Sequence, residues 1–424
     1  YNNMGIALRD QGKLDEAIKA YNKVLTINPD YADAYNNMGI ALRDQGKLDE
    51  AIEACNKSIT LKPEFADAYN NLGNALKDQG KLGEALKAYK KSISINPYHF
   101  KTYSNMGVTL QEQGKLEEAI ESYQKAININ PDYAESYNNM GVTLQEQGKL
   151  YEAIEIYKKG LTINPDDAVL MENFLLLETQ LVFSENINKQ LRDISSKQDK
   201  RLKERPKFQI LKAISVFIAA DHYTTQEHIK NFKRCDKKLF ASLEPKDKIF
   251  CTAYANFLNK LTEQPILKDL SESNNLVYHL GESHCLSYSN QFISINGINF
   301  KILPKITFGA KAFHFSRKDN DKYKAITKAH IENIPKGSNV FLSFGEIDCR
   351  PNEGFITSAN KLNSPIESLI SNTVRGYLNW FAEQNKNKKH SLFFFNVPAP
   401  IYNKKFTAKV NKKVTKIIKL FNSS

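Results

Sequence analysis

Apolar and polar positions along the first 165 residues follow a pattern that recurs as a unit. Within one unit Tyr35, Met38, Gly39 and Leu42 fall at helical spacing; after a break at Gly46, Ala51, Ile52, Cys55 and Ile59 form a second helical stripe, which Pro63 ends. The spacing predicts a helical hairpin. Its landmarks return every 34 residues: Tyr1, Tyr35, Tyr69, Tyr103 and Tyr137; Gly5, Gly39, Gly73, Gly107 and Gly141; Ala17, Ala51, Ala85, Ala119 and Ala153; Pro29, Pro63, Pro97, Pro131 and Pro165. One hairpin buries too little apolar surface to stand alone, so a fixed period of this length means stacked units.

The pattern then changes twice. From Asp166 to about Ser273 the period is lost, but 173–178 and 246–261 still read as amphipathic helices, and 197–207, charged and containing Pro206, reads as an exposed linker. Beyond this come short β-rich runs at 276–280, 292–295, 298–303, 340–344 and 392–396, with Asn296 and Gly297 as a hairpin turn. Helices are expected at 323–333, 365–385 and 404–420. Strand, turn and helix in alternation predict an α/β sandwich with its site at the carboxyl ends of the strands. The expected fold class is α plus α/β: a solenoid over 1–166, a helical linker or cap over 167–272, and an α/β domain over 273–424.

The repeat resembles the tetratricopeptide repeat (TPR) at its small-residue and proline positions, which match Gly39, Ala51 and Pro63 and their equivalents in all five copies over residues 1–166. The resemblance implies a right-handed solenoid whose first helices line the concave side, and a peptide-binding or assembly scaffold. With Tyr35 as origin on a helical wheel of about 100° per residue, Asn37 and Asp44 lie roughly opposite the apolar stripe. In every copy the first of these positions is asparagine: Asn3, Asn37, Asn71, Asn105 and Asn139. A carboxamide both donates and accepts, so such a row can bond the backbone of an extended peptide whatever its side chains; the alternative is that duplicated units keep asparagine as copies. The repeats look most like those of O-linked N-acetylglucosamine transferase, where an asparagine ladder in the same position holds the substrate chain, although nothing after residue 166 resembles a nucleotide-sugar domain. The second position gives an acidic row, Asp10, Asp44, Asp78, Glu112 and Glu146, which would favour a basic or neutral peptide or be a solvated face.

Charge separates the two halves of the chain. Residues 1–165 hold 19 Lys and Arg against 22 Asp and Glu, while the remainder holds 40 against 25. No binding motif and no basic surface interleaved with aromatics accompanies the excess, so it reads as lysine-rich solvated faces and no nucleic-acid partner is expected. At 424 residues and 41% hydrophobic content the chain suits two or three soluble domains, and no apolar run of 18 residues suggests a membrane span. It opens at Tyr1 in mid-repeat, so the N-terminus is expected to be missing, and the beginning says nothing about a signal peptide. Cys55, Cys235, Cys251, Cys285 and Cys349 are scattered without C-x-x-C spacing, which argues for a reducing, cytoplasmic compartment. His222 and His228 lack metal-ligand spacing; no metal or cofactor is expected.

Two strand ends resemble the SGNH (GDSL-like) hydrolases. Gly281, Glu282 and Ser283 stand where that family has a serine directly after a strand in a Gly-Asp-Ser block, Gly345 to Asp348 where it has Gly-x-Asn-Asp, and Gly309 for its second-block glycine. The resemblance implies Ser283 as a nucleophile toward an ester-bearing substrate, the Gly309 N–H as an oxyanion donor, and Asp348 beside them. The chain departs from the family at Ile347, in place of an oxyanion asparagine whose loss typically costs about 100-fold or more in rate. No Asp-x-x-His block precedes Ser424, so the domain is expected to be degenerate or truncated at its C-terminus. His284 and His314 are substitute bases or ordinary turn histidines, and Cys285 or Cys349 are alternative nucleophiles lacking a base. Asp348, Cys349 and Arg350 form either part of a site or a salt-bridged loop. Two functions are therefore expected: a scaffold whose groove binds a peptide, fused to an SGNH-like domain, or a serine esterase or acyltransferase targeted by its repeats.

Overall fold

The computed structural model describes residues 1–181, 205–218, 222–263, 275–281, 292–295, 298–308, 310, 312–317, 319, 321–344 and 365–394. Contacts divide the chain into two units, residues 1–144 with 155–164, and residues 145–154 with 165–424.

Residues 2–163 form the expected hairpins. The first helices are α1 (Asn2–Asp10), α3 (Ala32–Asp44), α5 (Ala66–Asp78), α7 (Phe100–Glu112) and α9 (Ala134–Glu146); the second are α2 (Leu14–Ile27), α4 (Leu48–Leu61), α6 (Leu82–Ile95), α8 (Leu116–Ile129) and α10 (Leu150–Ile163). Gly46 and Gly80 follow α3 and α5 with φ of +78° and +82°, a conformation a side chain would strain. The amide after Gly46 closes the cap: Lys47 N–H donates to Leu42 O at 2.9 Å.

Ala51, Ala85 and Ala119 are fully buried where the two helices of a hairpin meet. The glycine of each first helix leaves a slot filled from the second helix by Tyr21, Tyr89, Tyr123 and Tyr157, all buried, and by Cys55 in the second repeat. A Cβ on Gly73 would overlap the Tyr89 ring. The largest core side chain therefore comes from the second helix. Tyr35, which the wheel puts in the buried stripe, is only half-buried.

In the second unit, α11 (Ala168–Leu181), α12 (Pro206–Ile218), α13 (His222–Arg234), α14 (Lys237–Ser242) and α15 (Pro245–Glu263) precede a five-stranded sheet. Residues 206 and 207, expected in an exposed linker, begin α12, since proline is tolerated in a first helical turn. Lys207 pairs with Glu172 at 3.7 Å and Asp247 at 3.2 Å, and Arg205 with Glu172 at 3.2 Å. Burial raises the Glu172 carboxyl's pKa, and the two cations pull it back down.

The strands are β1 (Leu276–Gly281), β2 (Phe292–Ile295), β3 (Ile298–Ile306), β4 (Asn339–Ser343) and β5 (Ser391–Phe394), in the order β2-β3-β1-β4-β5. Only β2 is antiparallel, as the expected hairpin requires, with Ile295 opposite Ile298. Tyr278, Leu280, Val340 and Leu342 face one apolar cluster with Phe315 of α16 (Ala312–Ser316), Ile331 of α17 (Lys322–Asn333), and Ile370, Tyr377 and Phe381 of α18 (Ile366–Asn385). Ile306 instead joins Ile210, Ile214, Cys251 and Leu258, and Gln180 of α11 accepts the Phe308 N–H at 2.9 Å. The helices after the repeats thus share a core with the sheet. Among the described residues no helix is long and apolar enough to cross a membrane.

Candidate functional site: a braced row of amides

Asn3, Asn37, Asn71, Asn105 and Asn139 occupy one register on the first helices of the five hairpins. Three of them donate to the preceding hairpin: Asn37 Nδ2 to Asn2 Oδ1 at 3.2 Å, Asn71 Nδ2 to Asn36 Oδ1 at 2.8 Å, and Asn105 Nδ2 to Asn70 Oδ1 at 3.0 Å. Asn70 and Asn138 also donate to their neighbours Asn71 and Asn139, both at 3.4 Å. Asn37, Asn71, Asn105 and Asn139 are half-buried, and Asn36 and Asn70 are buried. The single-helix wheel places Asn37 opposite the core; in the stack, the neighbouring hairpin covers part of that face. A second amide row, Asn2, Asn36, Asn70 and Asn138, was therefore missed, and its signal is the adjoining asparagine in each repeat, which the fourth replaces with Ser104. One cross-repeat bond engages one of a carboxamide's two N–H groups. It fixes the amide's direction and leaves hydrogen-bonding capacity on the same group.

On the same helical face follow Ile6, Ile40, Asn74, Val108 and Val142, all half-buried, and then the acidic row. The aliphatic run is interrupted in the third repeat, where Asn74 Oδ1 accepts the Tyr89 hydroxyl at 2.8 Å. The acidic row is not uniformly acidic in effect. Arg9 pairs with Asp10 at 3.0 Å, Arg43 with Asp44 at 2.9 Å and Asp78 at 3.7 Å, and Lys77 with Asp78 at 3.1 Å. In the last two repeats Gln111 and Gln145 stand where the first three carry that preceding cation, next to Glu112 and Glu146. The signal for this was the residue preceding each acid.

In the second unit, Ser283, Gly309 and Asp348 lie outside the described residues, as do His284, Cys285, Cys349 and Arg350. β1 and β4 are parallel neighbours, with Gly281 opposite Ser343. His279 Nε2 and Ser343 Oγ are 2.8 Å apart, and a Cβ on Gly281 would overlap that hydroxyl. His314 stacks on Tyr323 with ring centroids 4.0 Å apart. Burial pushes the thiols of Cys55 and Cys251 up to about 12, which leaves both protonated near neutral pH. Among the described residues no group of three or more His, Cys, Asp or Glu is placed to hold a metal ion.

Comparison with known families matches a TPR repeat model at residues 5–43, 41–80 and 109–148 and tetratricopeptide repeat models at 66–99, 88–121 and 134–167. No curated protein gives a significant match. Among solved structures the chain is 30% identical to MamA, over 39% of this chain and 96% of that one, with a TM-score of 0.35. It is 24% identical to YrrB, described as a TPR protein with an unusual peptide-binding site, over 40% and 88% of the two chains, with a TM-score of 0.33. It is 21% identical to a thermophilic TPR protein of Thermus thermophilus, over 42% and 96%, with a TM-score of 0.38.

Proposed function

Residues 5–167 are tetratricopeptide repeats, and from that premise we propose that the chain is a protein-interaction scaffold whose repeat groove holds an extended peptide on Asn3, Asn37, Asn71, Asn105 and Asn139. The observation that carries this reading is the amide row itself. Its cross-repeat bonds orient the carboxamides along the stack while using part of their capacity. The same row carries the resemblance to the O-linked N-acetylglucosamine transferase repeats. The adjoining Ile6, Ile40, Val108 and Val142 favour a peptide with aliphatic side chains, and the acidic row favours a basic over an acidic residue at the fourth repeat, where Glu112 follows Gln111, more than at Asp44 and Asp78, which are paired with Arg43 and Lys77. The test is fluorescence anisotropy of labelled extended peptides, neutral, basic and acidic, against the full chain and Asn71→Ala/Asn105→Ala. Capture of the neutral and basic peptides that the double variant loses supports the reading; equal binding by both proteins refutes it. A cytoplasmic location fits the described cysteines, which are thiols.

A second reading, a serine esterase or acyltransferase acting through Ser283, with Gly309 and Asp348, on an ester-bearing substrate, draws support from strand order. β1 and β4 are neighbours whose next strands, β2 and β5, lie toward opposite edges of the sheet, and such switch points are where open α/β sheets bind ligands. β1 and β4 end side by side, with Gly281 opposite Ser343. A fluorophosphonate should label the chain and fail to label Ser283→Ala; equal labelling of both, or of neither, removes this reading.

A further inference from the structure

One junction in the amide row is built differently from the rest. Where the second, third and fifth repeats carry Tyr31, Phe65 and Tyr133, the fourth carries His99, and where the second and third carry Ala34 and Ala68, it carries Thr102. His99 Nε2 lies 2.8 Å from Asp67 Oδ1 on α5. On the ring's other side Nδ1 accepts the Thr102 backbone N–H at 3.3 Å, which caps α7, and lies 2.6 Å from Thr102 Oγ1. Thr102 is fully buried, and its one hydroxyl hydrogen is shared among Nδ1 at 2.6 Å, Asn70 Oδ1 at 3.1 Å and Ser92 Oγ at 3.0 Å. Asn70 Oδ1 is the atom that also receives Asn105 Nδ2, and Asn70 Nδ2 reaches Asn71. A continuous hydrogen-bonded path thus joins an exposed carboxylate to two members of the row.

We propose that His99 makes the groove sensitive to protonation: the imidazole couples Asp67 to Asn71 and Asn105 through Thr102 and Asn70, and its protonation loosens peptide capture at the third and fourth repeats. This rests on the groove reading above and adds a control to it.

The proton balance follows from the ring's two nitrogens. Because Nδ1 accepts from the Thr102 N–H, the neutral ring carries its hydrogen on Nε2 and donates it to Asp67. A second proton goes to Nδ1. The lone pair that capped α7 is then occupied, the Thr102 N–H loses its acceptor, and Nδ1–H donates to Thr102 Oγ1. The Thr102 hydrogen is thereby committed to Asn70 Oδ1 or Ser92 Oγ, which changes the acceptor that holds Asn105. The new positive charge also sits at the positive end of the α7 dipole. Asp67 attracts that charge, whereas Lys101 on α7 and Lys62, which follows α4, act on the same carboxylate and weaken the attraction. From α6 the group that reaches the cluster is the neutral Ser92 hydroxyl.

The test uses the full chain and a rhodamine-labelled, N-acetylated, C-amidated peptide of lysine, valine and serine, which does not itself titrate between pH 5.5 and 7.5. Affinity should be lower at pH 5.5 than at pH 7.5 and should stay constant in His99→Phe, which carries the third repeat's residue. Without any peptide, the Asn71 and Asn105 side-chain amide resonances should titrate together with the His99 ring and remain still in His99→Phe. Amide signals that ignore the ring's titration, or equal pH dependence in wild type and His99→Phe, would overturn the proposal. Titrating amides with no peptide bound at either pH would support the coupling and remove the groove reading instead.

Discussion

Gly83 shows how one residue can interrupt a repeated interaction. Gln45 Nε2 donates to Asp15 Oδ1 at 2.8 Å and Gln79 Nε2 to Asp49 Oδ1 at 2.7 Å, each bond tying a first helix to the second helix of the preceding hairpin. Opposite Gln113 the corresponding residue is Gly83, exposed in the first turn of α6 with nothing near where a Cβ would be. Gly83→Asp adds a better helix former, a charge suited to the helix N-terminus and an acceptor for Gln113, and should stabilise the chain by about 1 kcal/mol. An unchanged denaturation midpoint would show that the bond contributes nothing. Asn105→Ala should act in the opposite direction, costing about 1 kcal/mol through the lost bond to Asn70 as well as weakening peptide capture. A variant that loses peptide without losing stability would show that Asn105 serves the ligand alone.

Between helices, hairpin packing depends on a tyrosine from one helix entering the space left by a glycine on the other. Gly73→Ala would drive a methyl group into the Tyr89 ring and should cost about 1–3 kcal/mol, read from thermal unfolding. The helices themselves were legible because stacked repeats enforce the same periodicity in every copy, and turn glycines and prolines mark their ends. The strands were legible as short apolar runs bounded by turn residues, and β2 with β3 by the Asn-Gly between them. The start of α12 was not, because Pro206 among lysines reads as linker. Lys207 departs from that reading because Glu172 and Asp247, distant in sequence, pair with it from two other helices.

For the protein as a whole, the second unit carries buried histidines whose charge state should govern its acid stability. Burial holds His330 down to about 3, only partly offset by its bond to Ile306 O, and burial also lowers His390. An unfolded histidine takes up its proton near pH 6.5, so between there and about pH 3 the unfolded state binds more protons and stability falls as pH falls. For His330 the loss should approach about 1.4 kcal/mol per pH unit. Trp380, packed against Phe315 with ring centroids 5.0 Å apart, offers a fluorescence readout of this unit in urea titrations. His330→Gln should flatten the dependence, and an unchanged slope would assign the acid sensitivity to other groups.

The repeat, its helices and their turns could be read from the amino-acid order alone, because they depend on spacing within some tens of residues and recur five times. The asparagine and acidic rows could be located in the same way, since a constant register needs only counting. What those rows are bonded to emerged from the packing of one hairpin on another. Asn37 and Asn71 reach asparagines 35 positions earlier, and Arg43 reaches Asp78 in the next hairpin, contacts that a single helical wheel does not contain. Packing likewise brought Ile306 of the sheet into the core of α12 and α15, because burial of a strand face depends on which helices lie over it, and local hydrophobic spacing does not encode that choice.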